Sequence, residues 1–243
     1  MDFLNLFKIK VIIFLLFIST TSIAQTDFIL VFTKTEGFRH QSIPNGIEAI
    51  KKLGETNDFE IVDTEDATYF QKDSLQQFDA VMFLNTTGNV LDDNQQKSLQ
   101  YFIKQGGGFI GIHSASDTEY DWSWYGKLIG GYFKSHPKQQ TATLNIIDTL
   151  HIATRKLPVA FEYFDEWYNL KNISQDINVL ITIDESTYTG GENGNFHPIS
   201  WYQEYDGCRM FYTSLGHRRE DYTNQYFLEH LLGGINYVLE NDE

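Results

Sequence analysis

Apolar and polar positions divide this chain into two patterns. In the first half, strand-like runs recur between stretches of helical spacing: Phe28 to Thr33, Phe59 to Val62, Phe78 to Leu84 and Phe109 to Ile112. The last is wholly apolar with no alternation, which suits a strand buried on both faces, as in a parallel sheet covered by helices. Between them, Ser42 reads as an N-cap for a helix whose Ile43, Ile47, Ile50 and Leu53 share one stripe, with Gly54 as its stop. Asp92 or Asp93 opens another helix, which carries Leu99, Phe102 and Ile103 and closes at Gly106. The order β-α-β-(α)-β-α-β predicts a doubly wound parallel sheet.

The second half reads differently. Thr141 to Ile147 and Asn178 to Ile183 are strand-like pieces around the aromatic segment Phe161 to Tyr168. Ile199 to Tyr205 and Cys208 to Ser214 flank Asp206-Gly207, a dipeptide suited to a two-residue turn, and predict a β-hairpin. A last helix near Asn224 to Leu239 puts Phe227, Leu231, Ile235 and Val238 on one face. His230 lies beside that stripe and reads as a packing or surface residue.

Composition then narrows the class. Lys8 and Lys10 precede the apolar run Val11 to Ile18 and the small residues ending at Ala24. That order predicts a secretory leader at 1–24, cleaved after Ala24, and hence a periplasmic or secreted protein. The run is shorter than the ~20 residues that span a bilayer, so stable membrane insertion is not expected. Loss of Asp2, Lys8 and Lys10 with the leader takes the net charge from −15 to −16. An acidic chain without a basic cluster is a poor partner for nucleic acid. A single cysteine, Cys208, allows no internal disulfide. Residues 25–243 fit one domain.

Candidate chemistry collects where the predicted parallel strands end, because open α/β sheets bind ligands at that edge. The loops Lys34 to His40, Asn85 to Gly88, His113-Ser114 and Leu215 to Arg218 each follow a strand. His113, His217 and His40 are the catalytic candidates, since imidazole titrates near neutrality and also ligates metals. Ser114 lacks a Gly-x-Ser-x-Gly elbow around it and reads as a hydrogen-bonding group rather than a nucleophile. Asp165, Glu166 and Trp167 combine carboxylates with an aromatic plane, a combination suited to a sugar ring. Arg39, His136 and Trp124 complete the substrate-binding candidates. No His-Glu-x-x-His or Cys-x-x-Cys spacing occurs, so a divalent metal has no motif behind it.

At these residues the chain resembles the trehalose-utilisation, or ThuA-like, family. The resemblance rests on Gly37-Phe38-Arg39-His40, Gly107 to Ala115, Trp124-Tyr125 through Gly130 to Phe133, His136-Pro137, Asp165 to Tyr168 and Gly216-His217-Arg218. It implies a class I glutamine-amidotransferase-like fold: a three-layer, flavodoxin-like, mostly parallel sheet with helices on both faces and an added antiparallel hairpin. Enzymes of that wider fold carry a cysteine at the elbow after the fourth strand. Here that place holds His113-Ser114, which argues against amidotransferase chemistry.

The resemblance also implies a role in sugar catabolism and a small-molecule sugar partner. Three readings follow. One is an exported hydrolase or lyase that processes a disaccharide or 3-keto-glycoside by histidine acid/base chemistry. Another is a non-catalytic carbohydrate-binding or accessory protein. The last is a metal-dependent hydrolase using His40, His113 and His217.

Overall fold

The computed structural model describes residues 26–241; the leader expected at 1–24 lies outside the described residues. In chain order the elements are β1 Asp27–Phe32, α1 Ile43–Gly54, β2 Phe59–Thr64, α2 Lys72–Leu75, β3 Ala80–Leu84, α3 Asp93–Lys104, β4 Gly108–Ile112 and α4 Ser123–Ile129. They continue as β5 Tyr132–Ser135, β6 Gln140–Ile146, β7 Ala160–Asp165, β8 Asn169–Lys171, β9 Asn178–Asp184, β10 Pro198–Tyr205, β11 Cys208–Thr213 and α5 Gln225–Val238. Nine strands form one sheet in the order β2-β1-β3-β4-β11-β10-β9-β6-β7, and β5 pairs with β8 beside it.

The flavodoxin-like layering follows from the apolar runs. Side chains alternate across a strand, so Ile29, Val31, Met82, Leu84, Ile110 and Ile112 enter one core with Ile50 of α1 and Leu231 of α5. Leu30, Phe32, Val81, Phe83 and Phe109 enter the other, with Leu99 and Ile103 of α3 and Leu128 of α4. Local chemistry set the boundaries. Asp92 is the cap of α3: its carboxylate accepts from Asn94 and Gln95 N–H, and Gln95 Oε1 accepts from Asp92 N–H. Asp206 and Gly207 turn with φ 52° and 104°, as a two-residue hairpin requires. Ser42 precedes α1 without capping it; its hydroxyl donates instead to the Gly216 carbonyl across the fold.

The antiparallel part is larger than one hairpin, and it decides the site. β2, β1, β3, β4 and β11 run parallel, while each step from β11 through β10, β9 and β6 to β7 is antiparallel. An even number of reversals makes β7 run the same way as β4, so both finish at the same edge. Four strand spacings would set β7 roughly 19 Å from β11 in a flat sheet. Yet Asp165, the last residue of β7, accepts a hydrogen bond from Gly216 N–H just after β11, at 3.1 Å. The sheet therefore curls. Register shifts at Pro198, Ser200 and Trp201 fall where β10 meets β9, and such irregularities bend a sheet. Inside the curl, Leu144, Tyr163 and Leu180 share a core with Phe227 and Leu231 of α5.

Candidate metal centre and active-site cleft

β4 ends at Ile112 and the chain turns at once into a short 3₁₀ segment, His113–Asp117. Just before the turn, Gly111 of β4 is closely packed: a Cβ there would sit 2.6 Å from Ile129 Cδ1 and 3.1 Å from Tyr212 Cδ2. His113 takes a left-handed backbone, φ 49°, a costly choice for a bulky residue that persists where the surroundings enforce it. Tyr212 enforces it here by donating to the His113 carbonyl at 2.9 Å. The fold thus keeps a sharp strand-to-helix elbow, and the residue it presents is a histidine. Ser114 points aside, its Oγ 3.4 Å from His40 Nδ1.

Loops from β1, β4, β7 and β11 bring His40, His113, Glu166 and His217 together, with one donor atom from each lying within 4.8 Å of the others. His113 Nδ1–H donates to the Ser214 carbonyl at 2.7 Å, which fixes the tautomer and leaves the Nε2 lone pair facing inward. That Nε2 lies 3.2 Å from His217 Nδ1 and 3.7 Å from Glu166 Oε2. His217 Nδ1 is 3.1 Å from the same Oε2, and His136 Nδ1 is 3.1 Å from Oε1. One carboxylate oxygen faces the cluster and the other is held by His136. Gly216, at φ 105°, supplies the turn that presents His217.

Electrostatics keep His40 and His113 neutral and the Glu166 carboxylate charged. Burial, reinforced by His113 and His217, lowers His40 to about 2, and burial likewise lowers His113 against the pull of Glu166. Burial alone would raise Glu166; the neighbouring His113 and His217 outweigh it and hold the carboxyl below its usual range. Neutral imidazole with ionised carboxylate is a donor set for a divalent cation.

A second pair of carboxyls lies under the cluster. Asp165 accepts from Glu166 N–H and Gly216 N–H, and Asp221 accepts from Arg218 N–H and Tyr163 O–H. Both are buried and hydrogen-bonded to each other; burial and mutual repulsion raise Asp165, and burial pushes Asp221 up to about 6. A raised acid binds more protons when folded, so its contribution is complete below the unfolded carboxylate pKa of about 4 and fades as pH rises towards about 6. Asp221→Asn should therefore flatten the decline in melting temperature between those pH values relative to the unmodified protein. Parallel melting curves for both would show it, and curves that stay parallel across that window would contradict the shared proton.

A cavity of about 280 Å³ opens onto the cluster, lined by Phe38, His40, Asp117, Phe133, His136, Glu166, Tyr168 and His217. A groove of about 610 Å³ continues past His217 to Phe164, Arg218 and Gln139. Phe38 and Phe164 are exposed aromatics in this cleft, and Arg218 lies over the Phe164 ring. Asp117, raised by burial against hydrogen bonding from Tyr120, is the acid of the cavity that the strand-end pattern did not single out. Its position in the elbow turn, four residues after His113, was the available signal.

Three expected substrate contacts lie elsewhere. Trp167 is fully buried and its indole N–H donates to the Gln140 carbonyl, because the curl turns it into the core. Trp124 donates to Asp206 in the hairpin turn, at the opposite edge of the sheet. Arg39 is held by the Thr33 carbonyl and Glu65, so the sequence neighbour that enters the site is His40. Asp165 supports the site from below. Cys208 is buried at the start of β11, its thiol pushed up to about 12 by burial, far from the elbow. His230 is a packing residue, bonded to Ser200 and the Ala153 carbonyl.

Comparison with known proteins agrees with this architecture. A family model described as ThuA, trehalose utilisation, matches residues 28–238. A ThuA-like protein from Bacteroides uniformis superimposes with a TM-score of 0.77 at 20% identity, over 93% of this chain and 97% of that one. One from Parabacteroides merdae gives 0.70 at 17%, covering 88% and 90%. A cytoplasmic protein from Salmonella typhimurium gives 0.62 at 10%, covering 87% and 98%. No curated protein matches the sequence.

Proposed function

The chain belongs to the ThuA, trehalose-utilisation, family, and from that premise we propose that it is an enzyme processing a sugar derivative, a 3-keto-glycoside or related disaccharide, in the cleft above His40, His113, Glu166 and His217. The observation carrying this reading is the convergence of titratable groups. A binding module needs shape and stacking, whereas this cavity is lined by His40, His136, His217, Asp117 and Glu166.

The chemistry follows from the sugar's carbonyl, which acidifies the neighbouring C–H. A base removes that proton, the electron pair forms an enolate, the glycosidic C–O bond breaks, and the departing oxygen receives a proton. Glu166 is a poor base because its carboxylate is already stabilised by three histidines. His136 and Asp117, on the cavity wall, suit the proton transfers. Incubation with 3-keto-trehalose or 3-keto-glucosides, with and without divalent ions, should release the free sugar and a keto product. No turnover of any such substrate would overturn the reading.

Phe38 and Phe164 offer the stacking surface that Trp124 and Trp167 do not. Phe164→Ala should weaken sugar binding roughly fivefold, on the order of 1 kcal/mol for one exposed aromatic face, with unchanged melting. Titration calorimetry would measure it; unchanged affinity would remove Phe164 from the site. Export is inferred from residues 8–24 alone. Sequencing the amino terminus of the secreted or periplasmic protein should give Gln25 as its first residue, and an intact Met1 start would refute cleavage.

A further inference from the structure

Three acceptor atoms meet around one point in the cluster. His113 Nε2, His217 Nδ1 and Glu166 Oε2 are separated by 3.2, 3.1 and 3.7 Å. A tetrahedral ion with bonds of about 2.0–2.1 Å to nitrogen and oxygen has ligand–ligand edges of about 3.3–3.4 Å. The triangle is thus already the size of one face of a zinc-type site.

The Nδ1–H of His113 donates to the Ser214 carbonyl, which aims Nε2 at the centre of the triangle, and a carboxylate has no proton to give. A cation at that centre serves both atoms together with His217 Nδ1. Outer contacts have the form expected of a ligated site: Ser214 on His113, His136 on Glu166, Ser114 on His40. His40 lies farther out, within 4.8 Å of the rest, and moves inward towards the tetrahedral edge length to serve as the fourth ligand.

We propose that His113, His217, Glu166 and His40 bind one first-row divalent ion of the zinc class, with its open side facing the cavity beneath Phe38 and Tyr168. Among the described residues this is the one such group of histidine and carboxylate donors. A carbonyl or hydroxyl oxygen of a ligand in the cavity then reaches the ion, and proton transfer passes to His136 or Asp117. The site stands on its own geometry and does not depend on the substrate being a keto-sugar.

The test is metal uptake. Purified protein is stripped with a chelator, dialysed separately against micromolar zinc, cobalt, nickel and manganese, and its content measured by inductively coupled plasma mass spectrometry. Close to one equivalent of at least one ion is expected, with visible absorption bands of four- or five-coordinate geometry for the cobalt form. Glu166→Gln and His217→Ala should each lower the affinity at least tenfold while circular dichroism stays native. His136→Ala should lower it about 10- to 100-fold, as loss of an outer-shell partner does, and His151→Asn should leave it unchanged. Uptake below a tenth of an equivalent for every ion, or uptake indifferent to Glu166→Gln and His217→Ala in folded protein, overturns the proposal. Sugar turnover that survives chelation with no bound ion would sink the metal site and leave the sugar reading standing. A stoichiometric ion with no keto-glycoside turned over would do the reverse.

Discussion

His113→Asn is expected to lower kcat/KM for a 3-keto-glycoside by about 10²-fold or more, the order of loss that follows removal of one preorganised group of a site, because it opens a gap in the cluster. Asparagine is the informative replacement because position 113 holds a left-handed backbone at φ 49°, which asparagine enters more readily than other non-glycine residues. Alanine there would mix backbone strain with the loss of the imidazole. In asparagine the elbow keeps its shape and the Tyr212 hydrogen bond to the residue 113 carbonyl survives. What disappears is the inward Nε2 lone pair that the Ser214 carbonyl had fixed. The variant should fold and melt within a few degrees of the parent while turnover collapses. Retention of more than a tenth of the parental kcat/KM would show that His113 is a buried structural histidine.

The largest stability effect is expected at Asp165→Ala, about 3–5 kcal/mol in urea unfolding, because it strips partners from several buried polar groups at once. Glu166 N–H and Gly216 N–H both lose their acceptor, and Asp221 loses the carboxyl with which it shares a proton. Asp165→Asn should cost less, since its single amide oxygen still accepts from one of the two N–H groups, which bind different oxygens of the carboxylate. Gly216 precedes His217, so the alanine variant should also loosen the loop that carries the cluster. A loss under about 1 kcal/mol for Asp165→Ala would show that the buried carboxyl is dispensable.

Much of the fold was legible because its signals are local. Apolar runs such as Phe109 to Ile112 mark strands sealed on both faces, and Asp206-Gly207 carries its own turn chemistry. Parallel strands finish at a common edge, so loops following three such runs brought His40, His113 and His217 together on paper. Glu166 was a candidate beside the same histidines, but nothing local fixed its distance from them, because β7 reaches them only through four antiparallel pairings.

The sequence alone determined which residues could do chemistry and at which edge of the sheet three of them would sit. It also determined that a histidine, His113, stands at the turn after the fourth strand. Tertiary structure decided the rest. The curl of the antiparallel half carried Glu166 and Asp165 back across the strand ends, packed Trp167 into the core and placed Phe164 at the cleft. Trp124 fell to the far edge because its helix packs beside the hairpin turn. The reason is range: strand, cap and turn preferences act between near neighbours. The distance between β7 and β11 is set by pairings and register shifts summed across the whole sheet, and no short stretch of sequence encodes that sum.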